Sequence, residues 1–402
     1  MNKITKRKVR LGMVGGGQGA FIGAIHRISA QLDNQIELVC GAFSRDPEKA
    51  VSFAKSLFLA KDRCYASYQA MFAAEAALPN DQRIDMVAIV TPNHLHFPIT
   101  KMALEHGFHV ICDKPATLTL AEALTLKDII AKTERHYGLT HTYTGYPMVK
   151  EAKHRIAQGQ LGRVKKVIVE YPQGWLAKPT DSTNKQASWR LDPKQAGTSC
   201  CMADIGVHAA NLAEYVTGLQ ITEICADLSS NIDDRVLDDD GTVMLRFNSG
   251  AHGVLLASQI CTGEENSLKL RVYTEEACLE WSQLEPNSLW LKYADQATQL
   301  IRAGVGNLAE TTLSALRTPA GHPEGYLEAF ANLYLAFAQQ ITNDSPLSSK
   351  NDHIPGINEA IRGMAFIENV VAASQSKLKW HTLSLTPCEI KPRTQLTQGD
   401  YS

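Results

Sequence analysis

The segment Val9-Arg10-Leu11-Gly12-Met13-Val14-Gly15-Gly16-Gly17-Gln18-Gly19-Ala20 constrains the fold of this chain more than any other. An apolar run ends in glycines, and Ala20, Ile22, Ile25 and Ile28 then recur at helical spacing. That order reads as strand, tight turn and helix. Gly15-x-Gly17-x-x-Ala20 fits the dinucleotide fingerprint G-x-G-x-x-G/A in the context the fingerprint requires. The first glycine makes the turn, and the second lets backbone approach a pyrophosphate. A small third residue lets the helix pack on the strand, with its N-terminal amides facing the phosphates.

The alternation continues. Residues 36–43 (IELVCGAF) read as a second strand, followed by Ser44-Arg45 and a helix entered at Pro47. The residue that reads the adenosine ribose belongs roughly 20 residues past the glycines. Ser44 and Arg45 suit a 2′-phosphate, whereas an acidic residue such as the adjacent Asp46 suits a free 2′-hydroxyl, so NAD and NADP both stay open. Residues 84–90 form a third apolar strand, ending in Thr91-Pro92-Asn93-His94-Leu95-His96. Residues 108–112 form a fourth, ending in Asp113-Lys114-Pro115, with a helical pattern over 97–106 between them. Open parallel sheets bind ligands outside the carboxyl ends of their strands, where both polar clusters fall.

From Gly145 the sequence becomes β-rich, which divides the chain into a domain over 1–147 and a second over 148–390. A helix over 149–158 comes first. Strands follow at 164–171, 221–229, 242–247, 253–259, 268–273, 278–281 and 288–292. Asn248-Ser249-Gly250 reads as a hairpin turn, and Asp238-Asp239-Asp240 as a solvated turn. The polar stretch over 173–197 is long enough to be a structureless lid or binding loop. Its Trp175 and Trp189 offer flat faces of the kind that stack on pyranose rings, and Lys185 and Arg190 offer charged donors. Helices over 327–341 and 357–371 close the chain, and its last fifteen or so residues read as frayed.

Composition excludes several classes. Lys plus Arg total 40 against 42 Asp plus Glu, which leaves no electrostatic footprint for nucleic acid or an anionic membrane. Apolar residues make up 44%, too many for a disordered chain. No apolar run reaches the roughly 20 residues of a membrane span. The basic cluster Lys3, Lys6, Arg7, Lys8 and Arg10 is followed by too short an apolar stretch for a signal peptide, so a cytoplasmic chain is expected. The nine cysteines, an odd number without a C-x-x-C pair, read as buried reduced thiols. Cys200-Cys201 lies close to Asp204 and His208, but adjacent cysteines point apart, so no metal is expected.

The segments GGGQGAFIGAIHR, VAIVTPNHLHFPITKMALEHGFHVICDKP and MADIGVHAANL together resemble the Gfo/Idh/MocA family of nicotinamide-dependent sugar and inositol oxidoreductases. The resemblance implies an α/β chain: a Rossmann domain, then an α/β domain on a large, open, mostly antiparallel sheet. It implies NAD or NADP held by Gly15, Gly17, Gln18, Ala20, Phe21, Ser44, Arg45, Thr91, Asn93, His96, Asp113 and Lys114. It implies Lys114, Asp204 and His208 as catalytic-site residues and His322 toward the substrate; with Asp204, the Trp175, Lys185, Trp189 and Arg190 side chains of the polar stretch are the other candidates to meet a sugar, glycoside or inositol. A homodimer or homotetramer is implied by analogy alone. The family more often has Glu where Asp113 stands, and glycine-rich sequence where Ser199-Cys200-Cys201 stands.

The residue chemistry agrees with that reading. Oxidising a secondary alcohol needs a base for the hydroxyl proton while hydride leaves the carbon, and histidine suits that task near neutral pH. Asp204 and His208 stand at i and i+4, one helical face, where the carboxylate can orient the imidazole. Lys114 supplies a positive charge for the developing alkoxide. Two rivals share these features in part. One is an NAD-dependent glycoside hydrolase that cleaves by transient oxidation and elimination. The other is a nucleotide-sensing regulator, which would be expected to lack the lysine or histidine.

Overall fold

The computed structural model describes residues 7–179, 185–343, 354–388 and 390. The chain divides into two compact units. One comprises Met1–Thr117, Glu122–Tyr146 and Glu324–Ile361; the other comprises Leu118–Ala121, Pro147–Pro323 and Arg362–Ser402.

The first unit is built on five strands, β1 (Val9–Gly15), β2 (Ile36–Ala42), β3 (Met86–Val90), β4 (His109–Cys112) and β5 (Tyr137–Leu139). Their order across the sheet is β2-β1-β3-β4-β5, and every pairing is parallel. Strand β3 is buried at all five positions, as a sheet covered on both faces requires. The chain runs from β1 out to β2 and then crosses to β3 on the other side of β1. The topological switch point therefore lies between β1 and β3, and the carboxyl ends of those strands are Gly15 and Val90. The fifth strand has only three residues among polar neighbours, too short to leave a pattern in the sequence.

The helix Tyr326–Thr342 belongs to this first unit, although the sequence reading placed everything from 148 to 390 in one domain. It packs against α1 (Phe21–Gln31). Phe330, Leu333, Tyr334 and Phe337 bury there, each stabilising by about 1.5–3 kcal/mol. The Ser29 hydroxyl donates to Leu327 O at 3.0 Å, and Asn332 Nδ2 donates to Gly145 O at 2.9 Å. A Cβ on Gly145 would lie 2.0 Å from Ala329 O, so only glycine admits this approach. An amphipathic pattern shows that a helix has a buried face, but not which sheet covers it.

The second unit holds β6 (Lys166–Pro172), β7 (Ile221–Ser229), β8 (Asp240–Phe247), β9 (His252–Ser258), β10 (Lys269–Tyr273), β11 (Ala277–Ser282), β12 (Ser288–Tyr293), β13 (Gln299–Arg302) and β14 (His381–Thr382). They form one sheet in the order β13-β12-β11-β10-β6-β9-β8-β7-β14. Only β6 and β9 pair in parallel; the rest of the ladder is antiparallel. Strands β8 and β9 are joined by the expected turn, with Gly250 at φ +85°. The helix Val207–Thr217 packs on β6, β9 and β10. Asp240 pairs with both Ser229 and Ser258, which brings the ends of β7 and β9 and the start of β8 to one edge.

At that edge the structure corrects the sequence reading. Asp238 and Asp239 are buried, not in a solvated turn. Asp238 accepts from the Ser199 hydroxyl at 2.9 Å and from the backbone N–H groups of Cys200 and Met202 at 3.2 and 3.1 Å. It thus satisfies donors that a helix start leaves open. Asp239 pairs with Arg235 at 2.9 Å. The described part of 173–197 is not structureless either: it includes the short helices Lys185–Arg190 and Pro193–Ala196, the second capped by Asp192. Leu176, Ala187, Leu191 and Ala196 pack with Cys200 and Leu237 into a small core. The frayed tail expected at the C-terminus lies outside the described residues.

Candidate active site

In the first unit the glycine turn follows β1, with Gly15 at φ +84° and Gly16 at +65°. A Cβ on Gly15 would lie 2.5 Å from Val90 O, and one on Gly17 would lie 2.5 Å from Phe43 O. The backbone is pressed against the neighbouring strand ends, as a phosphate-cradling turn needs. Gly23, which the sequence reading passed over, supplies the close helix packing: its Cβ would lie 2.4 Å from Gly16 Cα. A glycine inside a helical pattern was the available signal. Ala20 is the N-cap residue of α1, and its N–H donates to Gly17 O at 3.0 Å. Gln18 and Phe21 are exposed beside the turn. Arg27, also unforeseen, donates to Gly16 O at 2.7 Å and lies over the Phe53 ring, fixing the turn from behind.

After β2 the three candidate ribose readers separate. Asp46 caps α2 (Pro47–Ser56), accepting from the N–H groups of Glu48 and Lys49 at 3.1 and 3.2 Å. These helix-end donors hold its carboxyl below the usual range. The Ser44 hydroxyl accepts from Asp46 N–H at 3.1 Å, and Arg45 is exposed.

At the end of β3, the Thr91 hydroxyl is buried with no hydrogen-bond partner among the described residues, and its methyl group faces Gly15. Asn93 is buried in the turn that follows. His96 is buried, with Nδ1 2.7 Å from Pro115 O and Nε2 2.8 Å from Thr91 O. It ties the β3 and β4 loops together, and burial pushes its pKa down. Asp113 Oδ1 accepts from Lys114 N–H at 2.8 Å and from the Thr140 hydroxyl at 3.0 Å. The following residue, His141, is buried and held neutral. Burial chiefly, and then the Lys114 charge, push its pKa down to about 3 against the pull of Asp113. Neither Thr140 nor His141 carried a sequence signal, because both follow the strand too short to read.

A close glycine cradle at the switch point, an orphaned buried hydroxyl beside it and a lysine on the same edge fit a dinucleotide.

In the second unit Asp204 lies in a π-turn, Met202–Gly206, and His208 in the first turn of the helix that continues from it. Val207 N–H reaches back to Met202 O, the wider i→i+5 bond. His208 is buried. Asp204 Oδ1 lies 3.4 Å from Arg190 Nε, and Asp204 Oδ2 accepts from Gln259 Nε2 at 2.9 Å. Arg190 therefore ties the 173–197 segment to the π-turn, and its guanidinium lies over the Trp189 ring. Trp175 is partly exposed, its indole N–H donating to Gln173 Oε1 at 3.0 Å. Lys185 opens its short helix, but its side chain lies outside the described residues. His322 is exposed in a local turn, with Nδ1 3.2 Å from Pro319 O. Cys200 and Cys201 are buried thiols whose pKa burial raises well above the usual range. Among the described residues no three His, Cys, Asp or Glu side chains are arranged to hold a metal ion, and no helix is long and apolar enough to cross a membrane.

Residues 9–141 match the oxidoreductase family with an NAD-binding Rossmann fold, and residues 149–280 match the GFO/IDH/MocA C-terminal domain. The chain is 33% identical to the uncharacterized oxidoreductase YfiI of Bacillus subtilis, over 94% of this chain and 98% of that one. The chain belongs to the Gfo/Idh/MocA family. As a member it is an NAD(P)-dependent oxidoreductase, and its two units carry that family's Rossmann sheet and mostly antiparallel sheet. Two solved structures of an inositol dehydrogenase homolog from Azotobacter vinelandii superpose on it. The complex with NAD+ is 34% identical at TM-score 0.90, and that with NADH and myo-inositol is 32% identical at TM-score 0.88. Each covers 94% of this chain and 98% of its own. A levoglucosan dehydrogenase of Pseudarthrobacter phenanthrenivorans is 29% identical over 54% of this chain and 60% of its own.

Proposed function

We propose that this oxidoreductase oxidises a ring secondary alcohol of an inositol, sugar or glycoside, with His208 as acid/base, Lys114 at the substrate oxygen and Asp204 orienting the site. The observation that carries the proposal is Asp204 and His208 at the head of one buried helical segment, in a family whose inositol dehydrogenase homolog is solved with NADH and myo-inositol. The glycine turn, Thr91 and the α1 N-terminus would hold the cofactor, whose nicotinamide ring, when bound, supplies the hydride acceptor.

The chain's own groups account for the proton. His208 takes it from the substrate hydroxyl as hydride leaves the carbon, which converts the alcohol to a ketone. The Lys114 ammonium favours the oxygen as it gains negative charge. His141 is neutral beside it and adds no second positive charge there. Asp204 stabilises the imidazolium that forms on His208. A homodimer or homotetramer is also proposed, supported by family likeness and by half-exposed apolar side chains such as Met244, Val254 and Leu256 along β8 and β9.

The test is a screen of myo-inositol, levoglucosan, free sugars and glycosides with NAD and NADP separately, following nicotinamide absorbance and released sugar in parallel. Net cofactor reduction supports a dehydrogenase. Sugar release without reduced cofactor supports the glycoside hydrolase instead. Lys114→Ala and His208→Ala are each expected to abolish hydride transfer while NADH still binds; unchanged turnover in either removes that residue's role.

A further inference from the structure

Gln259 follows β9 at the sheet edge where the π-turn sits, and its side chain is completely buried. Its backbone is held on two sides: its N–H donates to Asp239 O at 2.8 Å, and its carbonyl accepts from Leu176 N–H at 2.9 Å. The carboxamide spans two groups of the site segment. Cys200 Sγ donates to Gln259 Oε1 at 3.4 Å, and Gln259 Nε2 donates to Asp204 Oδ2 at 2.9 Å. A carboxamide has one accepting end and one donating end. The thiol is a donor, and burial raises its pKa, so it stays protonated and takes the oxygen end. The nitrogen end is thereby turned to the carboxylate. Asp204 Oδ2 is then held by the Gln259 amide, and Oδ1 faces Arg190 in an ion pair at 3.4 Å.

We propose that Gln259 is a positioning residue for the oxidation: it fixes the Asp204 carboxylate, in an orientation set by the Cys200 thiol. The proposal rests on the reading of Asp204 as a site residue.

The experiment compares Gln259→Leu, Gln259→Glu and Asp204→Asn with the full-length wild-type enzyme, on the polyol it turns over fastest. Gln259→Leu keeps size but removes the donor. It is expected to lower kcat/KM by about 10–100-fold, mostly through kcat, with NADH affinity by fluorescence unchanged. Gln259→Glu places a second carboxyl against Asp204, and one proton shared by such a pair is held to higher pH than usual. Protonated, the new carboxyl donates as the amide did; ionised, it repels. The ratio of its kcat/KM to wild type is therefore expected to rise as pH falls from about 8 to about 5, a profile that a merely structural role does not produce. Wild-type kcat/KM in Gln259→Leu, or a flat ratio for Gln259→Glu, overturns the assignment. An inactive Asp204→Asn beside a normal Gln259→Leu sinks this proposal alone. A fully active Asp204→Asn sinks the reading of Asp204 and this proposal with it.

Discussion

The Thr140 hydroxyl donates to Asp113 Oδ1 at 3.0 Å, and the same oxygen accepts from the backbone N–H of Lys114 at 2.8 Å. The carboxylate is folded back on its own loop, and β5 beside β4 supplies the anchor. An aspartate is short enough for this closure; a glutamate would have one more methylene to place. Thr140→Val keeps shape and removes the donor. It is expected to cost about 1 kcal/mol of stability and to lower kcat several-fold while cofactor affinity holds. Urea denaturation and steady-state kinetics on one preparation check both parts. Loss of NADH affinity without loss of kcat would instead make Asp113 a direct cofactor ligand.

Cofactor choice turns on residues 44–46. Asp46 is occupied as the cap of α2, which leaves Arg45 as the exposed charge after β2. Arg45→Ala is expected to weaken NADPH about ten-fold, roughly 1.4 kcal/mol, and to leave NADH within two-fold or so. Asp46→Ala is expected to lower the melting temperature through the lost cap. Fluorescence titration with each reduced cofactor, next to thermal melts, separates the effects. An Asp46→Ala protein that loses NADH and keeps its melting temperature would return Asp46 to the ribose.

The sequence showed most of this molecule wherever one local pattern sufficed. Gly15-x-Gly17 marked the turn, Asp113-Lys114-Pro115 a strand end, and Asn248-Ser249-Gly250 a hairpin. It misled where burial is decided by distant chain. Asp238 and Asp239 look like a solvated turn until β7 and β9 close around them. Asp46 follows Arg45 in sequence, yet serves the helix that comes after. Gln259 reads as the last residue of a strand, and only the register of β8 with β9 brings it to Asp204. The helix Tyr326–Thr342 showed its amphipathic face but not its partner, which lies some 300 residues earlier in His26.

Buried histidines make the first unit sensitive to acid. Burial holds His26 down to about 4 and His109 and His141 down to about 3, and it lowers His96 as well. Each regains an ordinary pKa near 6.5 when the chain unfolds. Between those values the unfolded state binds the extra proton, so stability is present above about pH 6.5 and falls as pH drops toward the folded values. Each such histidine contributes a slope of about 1.4 kcal/mol per pH unit in that window. Denaturant midpoints from about pH 7.5 to 5 are expected to fall steeply. His109→Gln, which removes one titrating ring, is expected to flatten the slope by about that amount. An unchanged slope would show that His109 takes up its proton in the folded state.

In the second unit, Arg235 and Asp239 form a pair at 2.9 Å whose side chains are only 5% and 0% exposed. Arg235 also donates to Leu176 O at 2.7 Å and to Lys178 O at 2.9 Å, so one guanidinium holds the start of the 173–197 segment. Removing either partner strands the other's charge in the interior. Arg235→Met is expected to cost about 3–5 kcal/mol. The double variant Arg235→Met/Asp239→Leu is expected to be more stable than Arg235→Met alone, because no buried charge is left unpaired. The segment loses its anchor in both, so trypsin is expected to cut at Lys178 faster than in wild type even where stability has recovered. Denaturation of Arg235→Met, Asp239→Leu and the double variant gives the coupling energy, and digestion under native conditions gives the anchoring. A double variant as unstable as Arg235→Met, digested no faster than wild type, would assign the loss to packing rather than to the pair.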